Sequence, residues 1–310
     1  MKKISHGGNI YKKAKEMGIR EEDILDFSAN ISPLGLPEHI RQAMVKAIDQ
    51  TINYPDPDCS RLKEAISKED AVSETKIACG NGGADLLYRL AFGLQPKKVL
   101  LPAPAFVEYE EALSAAGAQI EYYRMTEDFI IKEDILEQIT EDTDFVVICN
   151  PNNPTSSAIM QEDLRKLIAF CSGKNIFVMI DETYVEFAPD INAVTAVPLT
   201  REFTNLMVLR GVSKFYAAPG MRLGYGITGN MEFLSKMREK QTPWSLNSLG
   251  AFAGELMLRD HDYIQETRDL ILDERDRMEQ ELQNIPTFKV YPAYANFILL
   301  KIRRDGLTSA

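Results

Sequence analysis

The sequence is poor in histidine and cysteine, the residues that most often build metal and redox centres. Only three of its 310 residues are His and only four are Cys. The histidines lie far apart, at positions 6, 39 and 261, and the cysteines form no Cys-x-x-Cys pair. The sequence therefore predicts no metal site and no disulfide framework, and we expect the four cysteines to be reduced, buried thiols in a cytoplasmic protein.

Positive charge and long apolar runs are also scarce. The chain has 35 basic and 46 acidic residues, a formal net charge of -11. This charge argues against non-specific binding to nucleic acid or to anionic membranes, although local arginines can still bind a small anion. No apolar run approaches the ~18 residues that a membrane helix needs. The basic N-terminus lacks the apolar segment of a secretory signal, so we expect a cytoplasmic protein.

What the chain does have is a large apolar content and a regular alternation of strand-like and helix-like segments. Apolar residues make up 45% of the sequence, and its length suggests about two domains. Four apolar runs are predicted to be strands that end near Leu101, Cys149, Ile180 and Leu209, with helical patterns between them such as Glu108 to Ala116 and Gln161 to Ser172. Continuous apolar character, rather than alternation, predicts a mainly parallel sheet covered on both faces, in an α/β domain.

The pattern changes in the last third of the chain. A long helical region is predicted from about Ser245 to Asn284, and Pro286 ends it. The segment "FKVYPAYANFILLKI" after it predicts two strands joined by a turn. We therefore predict an N-terminal segment (1–45), a large domain (46–260) and a small C-terminal domain (261–310). We expect the N-terminal segment to pack with the small domain.

Polar and glycine-rich motifs follow the predicted strands. In an open α/β sheet, ligands bind beyond the carboxyl ends of the strands. "NPNNPT" begins at Asn150, "DETY" begins at Asp181, and Ser213 and Lys214 follow a fourth strand. "CGNGGADLLYRL" places a glycine-rich turn at a helix N-terminus, where backbone N–H groups suit a phosphate. Each motif by itself is common as a turn, a helix cap or a surface lysine.

The order of these motifs is more specific than any one of them. A glycine-rich turn, a Phe after a strand, Asn-Pro-Thr, Asp with Tyr three residues later, Ser-Lys and "GMRLG" follow one another along the chain. This order resembles the fold type I pyridoxal phosphate (PLP) enzymes, the superfamily of class I and II aminotransferases, from Asp26 onward. The resemblance implies an α/β fold in which helices enclose a mainly parallel sheet, with a smaller α+β domain. It also implies PLP as the cofactor.

The resemblance assigns roles around the cofactor ring. Lys214 would supply the amine for a Schiff base with PLP, and Asp181 would pair with the pyridine nitrogen. Asn153 and Tyr184 would hydrogen-bond the phenolic oxygen, and Phe106 would stack on the ring. Lys214, Asp181 and Tyr184 are accordingly the expected catalytic residues.

Further roles concern the cofactor phosphate. Gly83 and Ala84 would donate backbone N–H groups, and Ser213 and Arg222 would bind it with their side chains. Arginine suits this role because its fork of donors matches phosphate geometry and it stays charged. Tyr54 would reach the phosphate from a neighbouring subunit, which implies a homodimer.

Four segments bear on the reaction. "HGGN" at 6–9, "DFSANISPLG" at 26–35, "YPDPDCSRLKEAI" from Tyr54 and "TPWSLNSLG" around Trp244 resemble threonine-phosphate decarboxylases of cobalamin biosynthesis. The resemblance implies decarboxylation of L-threonine O-3-phosphate to aminopropanol phosphate, with His6 and Asn30 near the substrate's phosphate or carboxylate. The alternative is an aminotransferase acting on histidinol phosphate or a related amino acid. The bond to Cα that stands perpendicular to the cofactor ring decides between the two reactions.

The sequence departs from the family pattern in three places. Gly211 stands where Ser or Thr is usual, and Ser156 stands where Gly is usual. The sequence ends at "RRDGLTSA", before the segment that carries the family's carboxylate-binding arginine, and neither Arg303 nor Arg304 matches that motif. A third hypothesis is therefore a truncated, cofactor-binding protein with impaired catalysis. A fourth, an α/β protein without cofactor, requires Lys214 to be a surface lysine.

Overall fold

The computed structural model describes residues 7–303, and a seven-stranded sheet lies at its centre. The strands are β1 (Ile77–Gly80), β2 (Lys98–Ala103), β3 (Gln119–Arg124), β4 (Phe145–Cys149), β5 (Phe177–Asp181), β6 (Leu206–Gly211) and β7 (Gly224–Thr228). Their spatial order is β1-β7-β6-β5-β4-β2-β3, and β7 runs antiparallel to both of its neighbours. The other strands run in one direction, so the prediction of a mainly parallel sheet is confirmed.

Helices cover both faces of this sheet. The α-helices of residues 7–303 are α1 (Ile10–Met17), α2 (Glu38–Ala47), α3 (Ser60–Glu69), α4 (Gly83–Leu94), α5 (Val107–Ala115), α6 (Ile135–Gln138), α7 (Gln161–Gly173), α8 (Ile191–Val194), α9 (Met231–Glu239), α10 (Ser248–Met257) and α11 (His261–Gln283). Alternate residues of β4, β5 and β6 enter two separate apolar cores, and every residue of β4 and β6 is buried. Burying one such aliphatic side chain contributes about 1.5–3 kcal/mol, which explains the continuous apolar runs. Within residues 7–303, no helix combines the length and apolar character that crossing a membrane requires.

Three strands of the sheet were not predicted from the sequence. β1 has the short sequence "IACG", and β7 contains two glycines in "GYGIT", so neither has a strong strand pattern. β3 lies at the edge of the sheet and has the polar sequence "QIEYYR". Because an edge strand exposes part of its surface to water, it need not be a continuous apolar run.

The prediction of one helix from about Ser245 to Asn284 is wrong, because the chain forms two helices there. α10 ends at Met257 and α11 begins at His261. The side chain of Asp260 accepts a hydrogen bond from the backbone N–H of Tyr263, at 3.2 Å, and so caps α11. Asp competes with helical hydrogen bonding in a helix interior but favours the N-cap position, so this local bond ends one helix and starts the next.

The C-terminal strands form a separate two-stranded antiparallel sheet. β8 (Phe288–Val290) pairs with β9 (Leu300–Ile302), as the sequence predicted for this segment. The Tyr263 hydroxyl donates to the Gly35 carbonyl at 3.0 Å, so α11 contacts the N-terminal segment. The division into 1–45, 46–260 and 261–310 stays a prediction.

Ser156 ties the loop after β4 to the C-terminal segment. Its buried Oγ accepts hydrogen bonds from the backbone N–H groups of Ala295, at 2.9 Å, and Tyr294, at 3.2 Å. Its φ of 62° lies in the left-handed region, which explains why glycine suits this position. The serine therefore bears a conformational cost but supplies two hydrogen bonds that glycine cannot make.

Candidate active site

The carboxyl ends of β4, β5 and β6 bring together residues that are far apart in sequence. Cys149 of β4 lies beside Asp181 of β5, and Asp181 lies beside Leu209 of β6. The loop after β4 begins at Asn150, whose N–H donates to the Asp181 carbonyl at 2.8 Å. Lys214 follows β6 by three residues. The predicted strand-end motifs therefore meet at one edge of the sheet.

Lys214 has the environment of a reactive amine rather than of a surface lysine. Its side chain is partly buried. Burial lowers the pKa of the Lys214 amine, and the positive charge of Arg222 lowers it further. An amine with a lowered pKa loses its proton more readily and so becomes a better nucleophile.

The Asp181 carboxylate is held by three donors. Oδ2 accepts from the Tyr109 hydroxyl at 2.7 Å, and Oδ1 accepts from the Thr183 N–H at 2.9 Å and its hydroxyl at 2.6 Å. Burial raises the pKa of the Tyr109 hydroxyl well above its ordinary value, and the charge of Asp181 raises it further. The hydroxyl therefore keeps its proton and stays a donor. These bonds fix the orientation of the carboxylate.

Tyr109 and Thr183 were missed at the level of the sequence, although signals for both exist. Thr183 lies inside "DETY", and Tyr109 follows Phe106 by three residues at the start of α5, a spacing that brings side chains together on a helix. The rings of Phe106 and Tyr109 meet edge to face with centroids 5.6 Å apart. Phe106 is therefore placed beside the group that holds Asp181.

Tyr184 and Asn30 contact each other although 154 positions separate them in the sequence. Burial raises the pKa of the Tyr184 hydroxyl, and a hydrogen bond with the Asn30 side chain partly offsets this effect. Asn30 thus reaches the strand-end site from the N-terminal segment. Asn153 lies half-buried in the loop after β4, and His6 lies outside the described residues.

The glycine-rich turn and Arg222 form the second part of the site. A Cβ atom at Gly82, where φ is 88°, would lie 2.5 Å from Nη2 of Arg222, so the guanidinium lies directly against this glycine. A Cβ at Gly83 would meet no atom within 4 Å, which shows open space at the N-terminus of α4. Ala84 lies in the first turn of this helix, and Ser213 immediately precedes Lys214. An arginine beside an open helix N-terminus is an arrangement that binds anions.

Tyr54 lies outside this cluster within a single chain. Its side chain is 79% exposed, and its ring stacks on Trp244 with centroids 4.7 Å apart. The structure of one chain therefore brings together the strand-end residues, the glycine-rich turn and Arg222, and leaves Tyr54 on the surface.

A buried ionic cluster lies below the site. Arg210 of β6 forms ion pairs with Glu182 at 2.9 Å, Asp70 at 3.4 Å and Glu186 at 3.6 Å. Burial raises the pKa of Glu186 to about 7, against the opposing effect of Arg210. Since Glu182 follows Asp181 in the chain, this cluster anchors the backbone that carries the site. The cluster was not predicted from the sequence, although "RGVSK" begins with this arginine.

These features define a class of protein. A mainly parallel α/β sheet with a partly buried lysine, an oriented carboxylate and an open helix N-terminus beside an arginine at its carboxyl edge is the architecture of the fold type I enzymes. The family model for aminotransferase class I and II matches residues 22–305. The chain belongs to this family.

Individual relatives and solved structures agree with this assignment. A threonine-phosphate decarboxylase of Salmonella typhimurium is 35% identical over 305 residues, which are 98% of this chain and 83% of that protein. A histidinol-phosphate aminotransferase of Thermoanaerobacter sp. is 36% identical over 284 residues, which are 89% of this chain and 78% of that protein. The crystal structure of the histidinol-phosphate aminotransferase from Clostridium acetobutylicum matches with a TM-score of 0.84 and 33% identity, covering 90% of this chain and 83% of that one.

Proposed function

We propose that this protein is a PLP-dependent decarboxylase that converts L-threonine O-3-phosphate to aminopropanol phosphate for cobalamin biosynthesis. The observation that carries the proposal is the 35% identity with a threonine-phosphate decarboxylase over 98% of the chain. The second candidate is an aminotransferase acting on histidinol phosphate or a related amino acid. The similar identity to the aminotransferase of Thermoanaerobacter sp., over 89% of the chain, favours this candidate.

The residues at the strand ends fit PLP. The open space at Gly83, with Arg222 beside it, suits the cofactor phosphate, and Ser213 and the backbone of Ala84 would complete that site. Lys214 would react with the cofactor aldehyde. Asp181 would accept a hydrogen bond from the pyridine nitrogen, Phe106 would stack on the ring, and the phenolic oxygen would lie near Asn153 and Tyr184.

Each catalytic residue has a task that its surroundings support. When bound, PLP withdraws electrons from the amino acid and weakens the Cα bond that stands perpendicular to its ring. Lys214 would release a proton more readily than an ordinary lysine, because burial and Arg222 lower its pKa. The Asp181 carboxylate, held in place by Tyr109 and Thr183, would face the cofactor, and Tyr184 would donate from a buried hydroxyl.

The substrate would be a phosphorylated amino acid, bound next to the cofactor. Asn30 would contact its phosphate or carboxylate, and the contact between Asn30 and Tyr184 supports this position. His6 is proposed for the same role. We also place the protein in the cytoplasm, a compartment that would keep its four free cysteines reduced.

A homodimer would complete the site through Tyr54. Val45, Ile48 and Ile52 follow one another at helical spacing, and all are more than half exposed. Tyr54 follows Ile52 by two residues and its ring stacks on Trp244, and we propose that a second copy of the chain covers these exposed apolar side chains. Ile52→Asp should reduce the mass measured by analytical ultracentrifugation from dimer to monomer. Tyr54→Phe should leave that mass unchanged and weaken PLP binding; a wild-type monomer would contradict the proposal.

The function can be tested on one set of samples. Purified protein is reconstituted with PLP, its absorbance spectrum is recorded before and after addition of threonine phosphate, and released CO2 is measured. Lys214→Ala removes the reactive amine, and Lys236→Ala, at an exposed ion-paired lysine of α9, is the matched control. We expect a band near the visible edge in wild type and Lys236→Ala, absent from Lys214→Ala, which changes with substrate and is followed by CO2.

The other outcomes separate the alternatives. The same band with a keto product from histidinol phosphate and no CO2 would identify the aminotransferase. A band that no substrate changes would identify a protein that binds the cofactor without turnover. A spectrum that does not depend on Lys214 would refute the proposed site.

A further inference from the structure

A segment near the N-terminus, residues 28–35, is bonded to the backbone of Lys214. The backbone N–H of Ser32 in this segment, here called the strap, donates to the Lys214 carbonyl at 2.9 Å. Ser32 is buried, and Asn30, the proposed substrate contact, lies two residues before it. The position of the substrate contact is therefore tied to the lysine that would react with the cofactor.

The hydroxyl of Tyr263 joins the strap to the turn that carries Lys214. This turn, residues 214–217, is called the lysine turn. The hydroxyl donates to the Gly35 carbonyl at 3.0 Å, and the Ser32 hydroxyl and the Phe215 carbonyl each lie 3.4 Å from it. A hydroxyl has one proton and donates to one acceptor at a time, and the Gly35 carbonyl is the closest of the three. The strap, the lysine turn and α11 therefore meet at one buried hydroxyl.

The ring and the backbone of Tyr263 are held separately from its hydroxyl. The ring stacks on that of Tyr216, two residues after Lys214, with centroids 6.0 Å apart and planes 19° apart. The backbone N–H donates to the Asp260 side chain that caps α11. Replacement of Tyr263 by phenylalanine therefore keeps the stacking and the helix cap and removes only the contacts of the hydroxyl.

The strap has a second attachment at its beginning. The Ser28 Oγ accepts a hydrogen bond from the backbone N–H of Gly8 at 2.7 Å, and a Cβ atom at Gly7 would collide with the Ser28 carbonyl oxygen. These two glycines of the "HGGN" motif therefore pack directly on the strap. A displacement of the strap would move this motif together with Asn30.

We propose that Tyr263 is a positioning residue of the active site, whose hydroxyl holds the strap against the lysine turn and so places Asn30 for the substrate. Tyr263 would touch neither substrate nor cofactor, because it acts through Gly35 and the backbone of the strap. A strap held in place before binding avoids the entropy cost of ordering it when the substrate arrives. The effect on substrate rests on the proposed function, whereas the contact between strap and lysine turn does not.

Hydrogen exchange of the cofactor-free protein tests the contact itself. In Tyr263→Phe, peptides that contain the Ser32 amide should exchange about tenfold faster than in wild type, as expected for the loss of one net hydrogen bond. Tyr123→Phe is the matched control, because this buried hydroxyl of the edge strand β3 donates to Asp134 at 2.6 Å. A general loss of stability would accelerate exchange of the strap in both variants, whereas the proposal predicts it in Tyr263→Phe alone.

Steady-state kinetics of the PLP-loaded protein tests the effect on substrate. Tyr263→Phe should raise the KM for threonine phosphate about tenfold and change kcat less than about threefold, because Asn30 would bind the substrate and its transition state alike. Tyr123→Phe should keep the KM of wild type. The absorbance band that depends on Lys214 should have the wild-type position and PLP affinity in both variants, since neither hydroxyl would contact the cofactor.

The outcomes separate this inference from the proposed function. Exchange of the strap at the wild-type rate in Tyr263→Phe would overturn the inference. Faster exchange with an unchanged KM would overturn it as well, because the hydroxyl would then have a structural role only. A wild-type protein that binds PLP through Lys214 without decarboxylating threonine phosphate would refute the proposed function, and exchange of the strap would still decide whether Tyr263 holds it.

Discussion

Substitution of Gly82 by alanine should weaken anion binding by displacing Arg222. The new Cβ would lie 2.5 Å from Nη2 of Arg222, closer than real Cβ atoms approach other heavy atoms, so the flexible guanidinium must move. A charge-assisted hydrogen bond contributes about 1.5–3 kcal/mol, so its loss should weaken binding of PLP or inorganic phosphate by about 10- to 150-fold. Equilibrium titration of the apoprotein, followed by absorbance for PLP and by calorimetry for phosphate, measures this change.

Gly117→Ala is the matched control for this substitution. Gly82 and Gly117 have φ values of 88° and 92°, so alanine introduces backbone strain of about 1–3 kcal/mol at either position. A Cβ at Gly117 would meet no atom within 4 Å. Both variants should therefore lose stability in urea denaturation, but only Gly82→Ala should lose affinity.

A double-mutant cycle makes this prediction sharper. Arg222→Ala sets the largest loss that displacement of the guanidinium can cause, so adding Gly82→Ala to it should weaken binding little further. Wild-type phosphate affinity in Gly82→Ala would contradict a displacement of Arg222. An equal loss of affinity in Gly117→Ala, or additive losses in the double variant of Gly82 and Arg222, would contradict it as well.

The remaining predictions concern stability and the cofactor spectrum. Tyr109→Phe removes a hydrogen bond to Asp181, and the control Tyr123→Phe removes one to Asp134, so each should lower the free energy of unfolding by about 1.5–3 kcal/mol. Only Tyr109→Phe should shift the absorbance of bound PLP. Equal spectra for the two variants would contradict this prediction. Ser156→Ala should lower the free energy of unfolding, measured in urea, more than Ser156→Gly does. Both variants lose the two hydrogen bonds of the hydroxyl, but only alanine keeps the strain of the left-handed backbone. A less stable Ser156→Gly variant would contradict this prediction. Burial raises the pKa of Glu186 from its ordinary value of 4.5 to about 7, so the folded protein favours the protonated carboxyl. The resulting contribution to stability is fully present below pH 4.5 and is lost as the pH rises through about 7. Glu186→Gln should therefore flatten the fall in Tm between about pH 5 and about pH 8, and an unchanged slope would count against this assignment.

Much of the fold could be predicted because strands and their ends are local features. The runs ending near Cys149 and Ile180 lie in the middle of the sheet, where burial on both faces requires continuous apolar sequence. The runs ending near Ile180 and Leu209 pointed to Asp181 and Lys214, since polar residues close to the end of a buried strand are visible without any knowledge of their spatial neighbours. The three missed strands are short, rich in glycine or at the sheet edge, so their pattern is weak.

The helix break at Asp260 shows a second limit. The charged pattern from Ser245 to Asn284 is helical throughout, and the cap that divides it depends on one side-chain hydrogen bond to Tyr263. Asp residues are common both on helix surfaces and at N-caps, so composition does not distinguish the two positions. The same is true of Tyr109, whose role depends on a bond to a residue 72 positions away.

The strand ends, the glycine-rich turn and the order of the motifs can be read from the sequence. Which of these groups touch depends on the folded chain, which brings Arg222 against Gly82 and Asn30 to Tyr184. The physical reason is that periodicity is set by each segment's own burial, whereas these contacts depend on how the sheet orders its strands and how helices pack against it.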